Sequence, residues 1–212
     1  MITPDFNFEK SLIPPSTRFL LGVDEVGRGP LAGPVALGAF LLDLDSFNPE
    51  TFAKIKVRDS KTLSEKQRQL ALSYFKQNNY SYKVFFAYAS LIDKIGIGPA
   101  IALTVKKIVS AFPQNFDFVL LDGSLSLPDN IPHRAVIKAD AKCFSVAAAS
   151  IVAKITRDHH MCDLDQTYPG YGFSSHKGYG TAAHLSALQA LGPCAIHRRS
   201  YKPVKKLLSL AT

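Results

Sequence analysis

The sequence predicts an α/β layer fold built on a mixed sheet, and three observations point to it. Two apolar runs, 19–25 and 34–42, are separated only by a short turn rich in glycine and proline, which pairs neighbouring strands as a hairpin. Further apolar runs then alternate with segments of helical pattern, the order of strand–helix units. The chain has 212 residues, 47% of them hydrophobic, enough for one substantial core, and no second apolar block is set off by a linker.

The elements follow in order. Residues 1–17 are expected to form a poorly ordered N-terminal segment, and 18–212 one domain that includes the C-terminal helices. Residues 62–79 predict a helix, with Thr62 and Glu65 spaced as a capping box. Residues 80–89 alternate and are rich in aromatics, as a strand should be. Residues 99–112 predict a helix with Pro99 in its first turn. An apolar strand over 116–121 ends in Asp122-Gly123, and a shorter strand spans 134–138. Residues 144–158 predict a helix whose run Ser145-Val146-Ala147-Ala148-Ala149-Ser150 is small enough to lie close against a sheet. A loop rich in glycine and aromatics follows over 168–177. A helix over 181–191 stops at Gly192-Pro193, and a last one spans 203–210.

The formal net charge is +8, and no acid follows Asp165. The tail instead carries Lys177, Arg198, Arg199, Lys202, Lys205 and Lys206, a pattern that suits a phosphate backbone, with simple solubility as the bland alternative. No apolar stretch is long enough to span a membrane and the N-terminus lacks a signal-peptide pattern, so a cytoplasmic location is expected. Cys143, Cys162 and Cys194 are odd in number and scattered, which fits reduced thiols rather than disulfides or zinc. His159 and His160, adjacent on a helix, do not face the same way. His176 and His197, beside Lys177 and Arg198, are expected at the polar surface.

The chemistry lies in the acids. Asp24, Glu25 and Asp122 close apolar strands, and open α/β sheets bind ligands beyond the carboxyl ends of their strands. Asp140 is a fourth candidate. One strand-end Asp is commonly a turn or cap residue, but an adjacent pair followed by a bare loop asks for more. Buried carboxylates are costly unless a cation joins them. An all-oxygen donor set suits Mg²⁺ or Mn²⁺ rather than zinc. Two such ions roughly 3.5–4 Å apart can activate water and stabilise a departing 3′ oxygen. The loop Gly27-Arg28-Gly29-Pro30-Leu31-Ala32-Gly33 lets backbone approach a ligand closely. Its spacing is neither a Rossmann fingerprint nor a Walker loop.

Five segments together resemble the ribonuclease HII family, the type 2 ribonucleases H. They are Asp24 to Pro34, Asp59-Ser60-Lys61, Leu121-Asp122-Gly123, Lys138-Ala139-Asp140-Ala141-Lys142 leading into Ala148 to Lys154, and His176-Lys177-Gly178-Tyr179 followed by His197-Arg198-Arg199-Ser200. The resemblance implies an RNase H-like fold, with a five-stranded mixed sheet, flanking helices and a C-terminal helical extension. It implies Mn²⁺- or Mg²⁺-dependent hydrolysis of the RNA strand of RNA–DNA hybrids. It also implies incision 5′ of single ribonucleotides embedded in DNA, leaving 3′-hydroxyl and 5′-phosphate ends. By motif match, Asp24, Glu25, Asp122 and Asp140 are the catalytic metal ligands. Gly27, Arg28 and Gly29 sense the ribose 2′-hydroxyl, Tyr179 stacks beside the junction, and Lys61, Lys177 and Arg199 contact the backbone. Asp140 lies in Lys-Ala-Asp where many relatives have Lys-Gly-Asp, which questions the local turn. The tail lacks the motif some relatives use to bind a sliding clamp, so no clamp partner is expected, and a monomer is. Two rival readings are a nuclease acting mainly on long hybrids and a binder that kept the fold without catalysis. The four acids argue against the second, because a pure binder gains nothing by repelling phosphates.

Overall fold

The computed structural model describes residues 3–112 and 116–210. Strand β1 (Phe19–Val26) is buried along almost its whole length because helices cover both faces of the sheet. It pairs antiparallel with β2 (Val35–Asp43), as the short turn predicts. After helices α2 (Pro49–Lys54) and α3 (Glu65–Gln77), β3 (Tyr82–Ala87) adds antiparallel to β2. Helices α4 (Ala89–Ile95) and α5 (Ile97–Ser110) then cross over to β4 (Phe118–Asp122), which lies parallel to β1 on its other side. Strand β5 (His133–Val136) lies parallel to β4, giving a five-stranded mixed sheet in the order β3-β2-β1-β4-β5. The long helix α6 (Phe144–Thr167), the short α7 (Phe173–His176), α8 (Ala182–Leu191) and α9 (Lys202–Leu210) complete the chain, after α1 (Phe6–Ser11) at its start.

Period two divides β1 between two cores. Leu20 packs with Phe40, Leu120 and the small residues of α6, while Leu21 and Val23 pack with Leu37, Leu121 and Ile101, Val105 and Ile108 of α5. On the α6 face the contact is backbone to backbone. A Cβ on Gly22 would lie 2.2 Å from the Ser145 carbonyl carbon, and one on Gly38 would lie 2.4 Å from the Ala149 oxygen. The small residues of α6 and these two glycines are the two sides of one joint.

Several boundaries differ from the sequence reading, each for a local reason. The capping box of α3 is Ser64 with Gln67, not Thr62 with Glu65. Thr62 closes a separate 3₁₀ turn, Ser60–Thr62, and its hydroxyl donates to the Asp59 carbonyl at 2.8 Å. Helix α6 runs on to Thr167 because Met161 and Leu164 pack against Tyr171 and Phe173. The short α2, α4 and α7 fall in stretches read as connections; α2 carries its signal in Asn48-Pro49, whose Asn48 side chain accepts from the Thr51 N–H. The segment before β1, for which the sequence predicts poor order, holds α1 docked against the start of α6. The Phe144 and Ser145 N–H groups and the Ser145 hydroxyl all donate to the buried Glu9 carboxylate. Cys143, at the N-cap position of α6, makes no side-chain cap bond, so an acid from a distant helix takes that role.

The joint between sheet and helix generates the first prediction. Gly22→Ala should lower the free energy of unfolding by about 3 kcal/mol, at the upper end of overpacking costs. Urea denaturation checks it, and an unchanged midpoint would contradict the backbone contact.

Candidate active site

Because β1 and β4 are parallel with Val23 opposite Leu121, Asp24 and Asp122 stand one residue further along, at the carboxyl ends of adjacent strands. Period two turns both towards the α6 face. The Ala139 N–H donates to Asp122 Oδ1 at 2.7 Å, which ties the strand end to the 3₁₀ turn Ala139–Ala141 carrying Asp140. The left-handed residue of that turn is Lys138, at φ 58°, rather than residue 139. The turn that Lys-Ala-Asp put in question therefore forms without a glycine at 139. The Glu25 N–H donates to Asp24 Oδ1 at 2.8 Å. Arg28 Nη1 lies 3.4 Å from Glu25 Oε1, and Lys61 Nζ lies 3.5 Å from Asp140 Oδ2.

Burial and mutual repulsion set the electrostatics. Asp24 is 2% exposed. Burial first, then Asp122, Asp140 and Glu25, push its carboxyl well above the ordinary range, and the neighbouring Ser150 hydroxyl opposes this. Glu25 is pushed up to about 6 by burial and Asp122, against the pull of Arg28 and Lys61. Asp140 is raised by burial and Asp122, with Lys61 opposing. Two buried oxygens, Asp24 Oδ2 and Glu25 Oε2, have no hydrogen-bond partner among the described residues. Among those residues, no three acid, histidine or cysteine side chains converge closely enough to hold a metal ion as they stand. Asp122, Asp140 and Glu25 each have a separate partner, in the Ala139 N–H, Lys61 and Arg28.

Beyond Glu25 the loop turns through Gly27, at φ +94°, where a Cβ would strike the Arg157 side chain at 2.1 Å. Two buried arginines hold the loop by its carbonyls. Arg198 donates to Gly27 O at 2.6 Å, Arg28 O at 2.7 Å and Gly33 O at 3.0 Å. Arg157 donates to Pro34 O at 2.9 Å and Lys177 O at 3.0 Å. The Leu31 and Ala32 N–H groups donate to Gly178 O, hooking the loop to the turn before Tyr179. A Cβ on Gly29 would lie 3.8 Å from Tyr179 Cε1, and Tyr179 is 44% exposed. A bare loop and an open aromatic ring thus face each other where the chain leaves β1.

The structure corrects two expectations. Arg198, expected among the phosphate contacts, is fully buried and organises the loop. His197, expected at the polar surface, is 1% exposed. Sequence reasoning missed Arg157 altogether, though a lone arginine after the small-residue run of α6 was a signal. Of the remaining candidates, Lys61 reaches Asp140. The Lys177 ammonium turns to the Ser174 carbonyl and the Cys162 sulfur. Arg199 is exposed, and its N–H donates to Asp93 Oδ2 at 2.9 Å. Lys202, Lys205 and Lys206 lie on the exposed side of α9, whose Val204 packs with Leu31 and Leu188.

Comparison with known proteins gives one consistent match. Residues 21–204 fit the family described as Ribonuclease HII. The chain is 46% identical to the ribonuclease HII of Nitrosococcus oceani over 187 residues, 88% of this chain and 90% of that one. Among solved structures it is similar to the ribonuclease H2 of Pyrococcus horikoshii, with TM-score 0.72 and 28% identity over 91% of this chain and 98% of that one. It shares its fold with Bst-RNase HIII, solved in complex with Mn²⁺, at TM-score 0.66 and 21% identity over 92% of this chain and 70% of that one.

The raised carboxyls carry a sign that can be checked. An acid whose folded-state pKa lies above its unfolded value stabilises the fold below the unfolded value and loses that contribution as pH rises through the folded one. For Glu25 the window runs from 4.5 to about 6. In the presence of a chelator, Glu25→Gln should therefore stabilise the protein above that window by roughly 1–2 kcal/mol relative to its effect below it. Thermal melts at either end of the window test this; equal shifts at both ends would refute the buried repulsion.

Proposed function

We propose that this chain, which belongs to the ribonuclease HII family, incises DNA on the 5′ side of single embedded ribonucleotides with two divalent ions. Membership makes it a ribonuclease H, a hydrolase that cuts the RNA strand of RNA–DNA hybrids. The finer reading rests above all on the Tyr179 ring facing Gly29, where a Cβ would lie 3.8 Å from Cε1, in the loop that follows the strand-end acids Asp24 and Glu25.

The 2′-hydroxyl is what distinguishes a ribonucleotide from its DNA neighbours. A wall made of Gly27, Arg28 and Gly29 offers main-chain groups to that hydroxyl with little side chain in the way. The Tyr179 ring opposite can stack on the adjoining nucleotide. Lys202, Lys205 and Lys206 suit phosphate contacts that read no sequence. Lys61 and Arg199 are exposed enough to join them, whereas Lys177 must first leave its contacts with Ser174 and Cys162.

Asp24, Glu25, Asp122 and Asp140 are the residues that would hold the ions. Their donors are all oxygen, which fits Mn²⁺ or Mg²⁺, and the two partnerless carboxylate oxygens are available ligand atoms. The Mn²⁺ in the related RNase HIII is consistent with this choice. Bound there, such ions supply a water made nucleophilic at neutral pH and charge to stabilise the departing 3′ oxygen, leaving 3′-hydroxyl and 5′-phosphate ends. The chain itself supplies the preorganisation: Asp122 is held by the Ala139 N–H and Asp24 by the Glu25 N–H. Lys61 pairs with Asp140 and Arg28 with Glu25.

Three outcomes test the reading. Asp122→Asn should bind duplex normally and lose cleavage; near-normal cleavage at saturating Mg²⁺ would remove Asp122 from the site. Chelation should abolish activity and Mg²⁺ or Mn²⁺ should restore it; rescue by Zn²⁺ alone would contradict the donor set. Tyr179→Ala should lower cleavage at a single embedded ribonucleotide by about tenfold or more, and a long hybrid much less, in line with stacking worth roughly 1–3 kcal/mol. Equal losses on both substrates would count against recognition of the junction.

A further inference from the structure

Next to the Tyr179 main chain lies a buried imidazole pair that the hydrolytic site does not use. His184 of α8 and His197 are both essentially inaccessible, and their Nε2 atoms are 3.1 Å apart. Two imidazole nitrogens can share a hydrogen bond only when one carries a proton and the other is bare. The surrounding partners decide which. The Tyr179 carbonyl only accepts, so His184 Nδ1, at 2.9 Å, carries a proton. In a neutral ring His184 Nε2 is then bare. The Cys194 N–H donates to His197 Nδ1 at 3.0 Å, so that nitrogen is bare and the His197 proton sits on Nε2, aimed at His184. The count closes with both rings neutral, as a directed chain from the Cys194 N–H through His197 and His184 to the Tyr179 carbonyl.

We propose that His184 and His197 are positioning residues for substrate recognition: their directed relay locks the Tyr179 main chain to the segment that holds the glycine loop, and so sets the gap between Gly29 and the Tyr179 ring. The proposal rests on the reading of Tyr179 as the junction-stacking ring.

The connectivity supports it. His197 forms a β-bridge with Ala32, inside the loop. Its neighbour Arg198 donates to the Gly27, Arg28 and Gly33 carbonyls. The stretch 194–198 is therefore bonded to one wall of the gap through Arg198 and to the other through His197 and His184. An apolar pair would fill the same volume without fixing the Tyr179 carbonyl. The surroundings favour neutral rings. His176 stacks on His184 with centroids 4.4 Å apart, and its own bonds, from the Gly178 N–H and to the Tyr171 carbonyl, also fit a neutral ring. Cys194 Sγ lies 3.1 Å from His197 Nδ1, and the Tyr171 and Phe173 rings cover His197. Asp165 acts near His176 but bonds Phe173 and Ser174, and Lys177 points to Ser174 and Cys162. Among the described residues no carboxylate bonds either ring. Burial and then His184 hold His197 down to about 4, and burial lowers His184 as well.

The test has two arms. Ring-nitrogen NMR on the unmutated protein at neutral pH should find His184 protonated on Nδ1 and His197 on Nε2; the opposite tautomers, or a charged ring, overturn the relay whether or not any variant folds. His184→Asn keeps a donor near the Nδ1 position, whereas His184→Gln does not reach the Tyr179 carbonyl. The Gln variant should lose about tenfold or more in kcat/KM at a single embedded ribonucleotide and less than about threefold on a long hybrid, with Asn recovering most of the loss. Equal behaviour of Gln and Asn, or equal losses on both substrates, overturns the proposal. Tyr179→Ala, measured alongside, separates the two readings. Unchanged junction cleavage in that variant sinks the stacking role and with it the purpose assigned to the relay. A loss there without the Gln–Asn contrast sinks the relay alone.

Discussion

Helix α6 lies on the sheet at backbone contact, and the geometry of the site depends on that contact. It is possible only because Gly22 and Gly38 present no side chain to Ser145 and Ala149. Once α6 is seated, Ser150 comes beside Asp24 and bonds Ser60 across the buried joint, Oγ to Oγ at 2.8 Å. The start of the helix follows the turn carrying Asp140, and Arg157, further along, reaches the glycine loop. One helix thus touches the strand-end acids, the motif around Lys61 and the glycine loop. Larger residues at the joint would move all of these together, since packed interiors transmit displacement rather than absorb it.

The same contact creates the electrostatic problem that the site exploits. Packing α6 against β1 removes Asp24 from water, and parallel pairing of β1 with β4 puts Asp122 alongside it. The protein spreads the repulsion by giving Asp122 a backbone amide, Asp140 a lysine and Glu25 an arginine. Lys61 and Arg28 are both more than half exposed, so their pairing is weak and readily given up.

What the sequence revealed divides along the same physical line. Period two, the short hairpin turn and strand–helix alternation are local, and they led to the mixed sheet. Asp24 and Glu25 were legible because a strand end followed by glycines is a local pattern. Arg198 was not, because its acceptors Gly33, Arg28 and Gly27 lie 165, 170 and 171 residues away, and beside Arg199 it reads as surface charge. His197 was misread for the same reason, its partner on α8 being visible only after folding. The capping box failed at shorter range: Thr62 has the right spacing to Glu65, but Asp59 had already closed a turn that used the Thr62 hydroxyl. Pattern reading cannot tell which of two overlapping local motifs the tertiary contacts will choose.

Buried donors explain how a loop with so few side chains keeps one shape. A segment outside helix and sheet leaves its carbonyls unpaired, and buried carbonyls need partners. Arg198 and Arg157 supply them from below, and the planar guanidinium serves several acceptors at once. Neither forms a salt bridge among the described residues, and burial lowers both, Arg157 to about 10 with Arg198 also opposing it. Guanidinium groups are not deprotonated in proteins, so both carry charge. Their charge is spread over the backbone of the loop instead of being cancelled by a carboxylate, leaving positive potential beneath the wall of Gly27, Arg28 and Gly29. The strand-end acids and the loop thus stand side by side with opposite electrostatics: mutually repelling carboxyls on one side, carbonyls bonded by buried cations on the other.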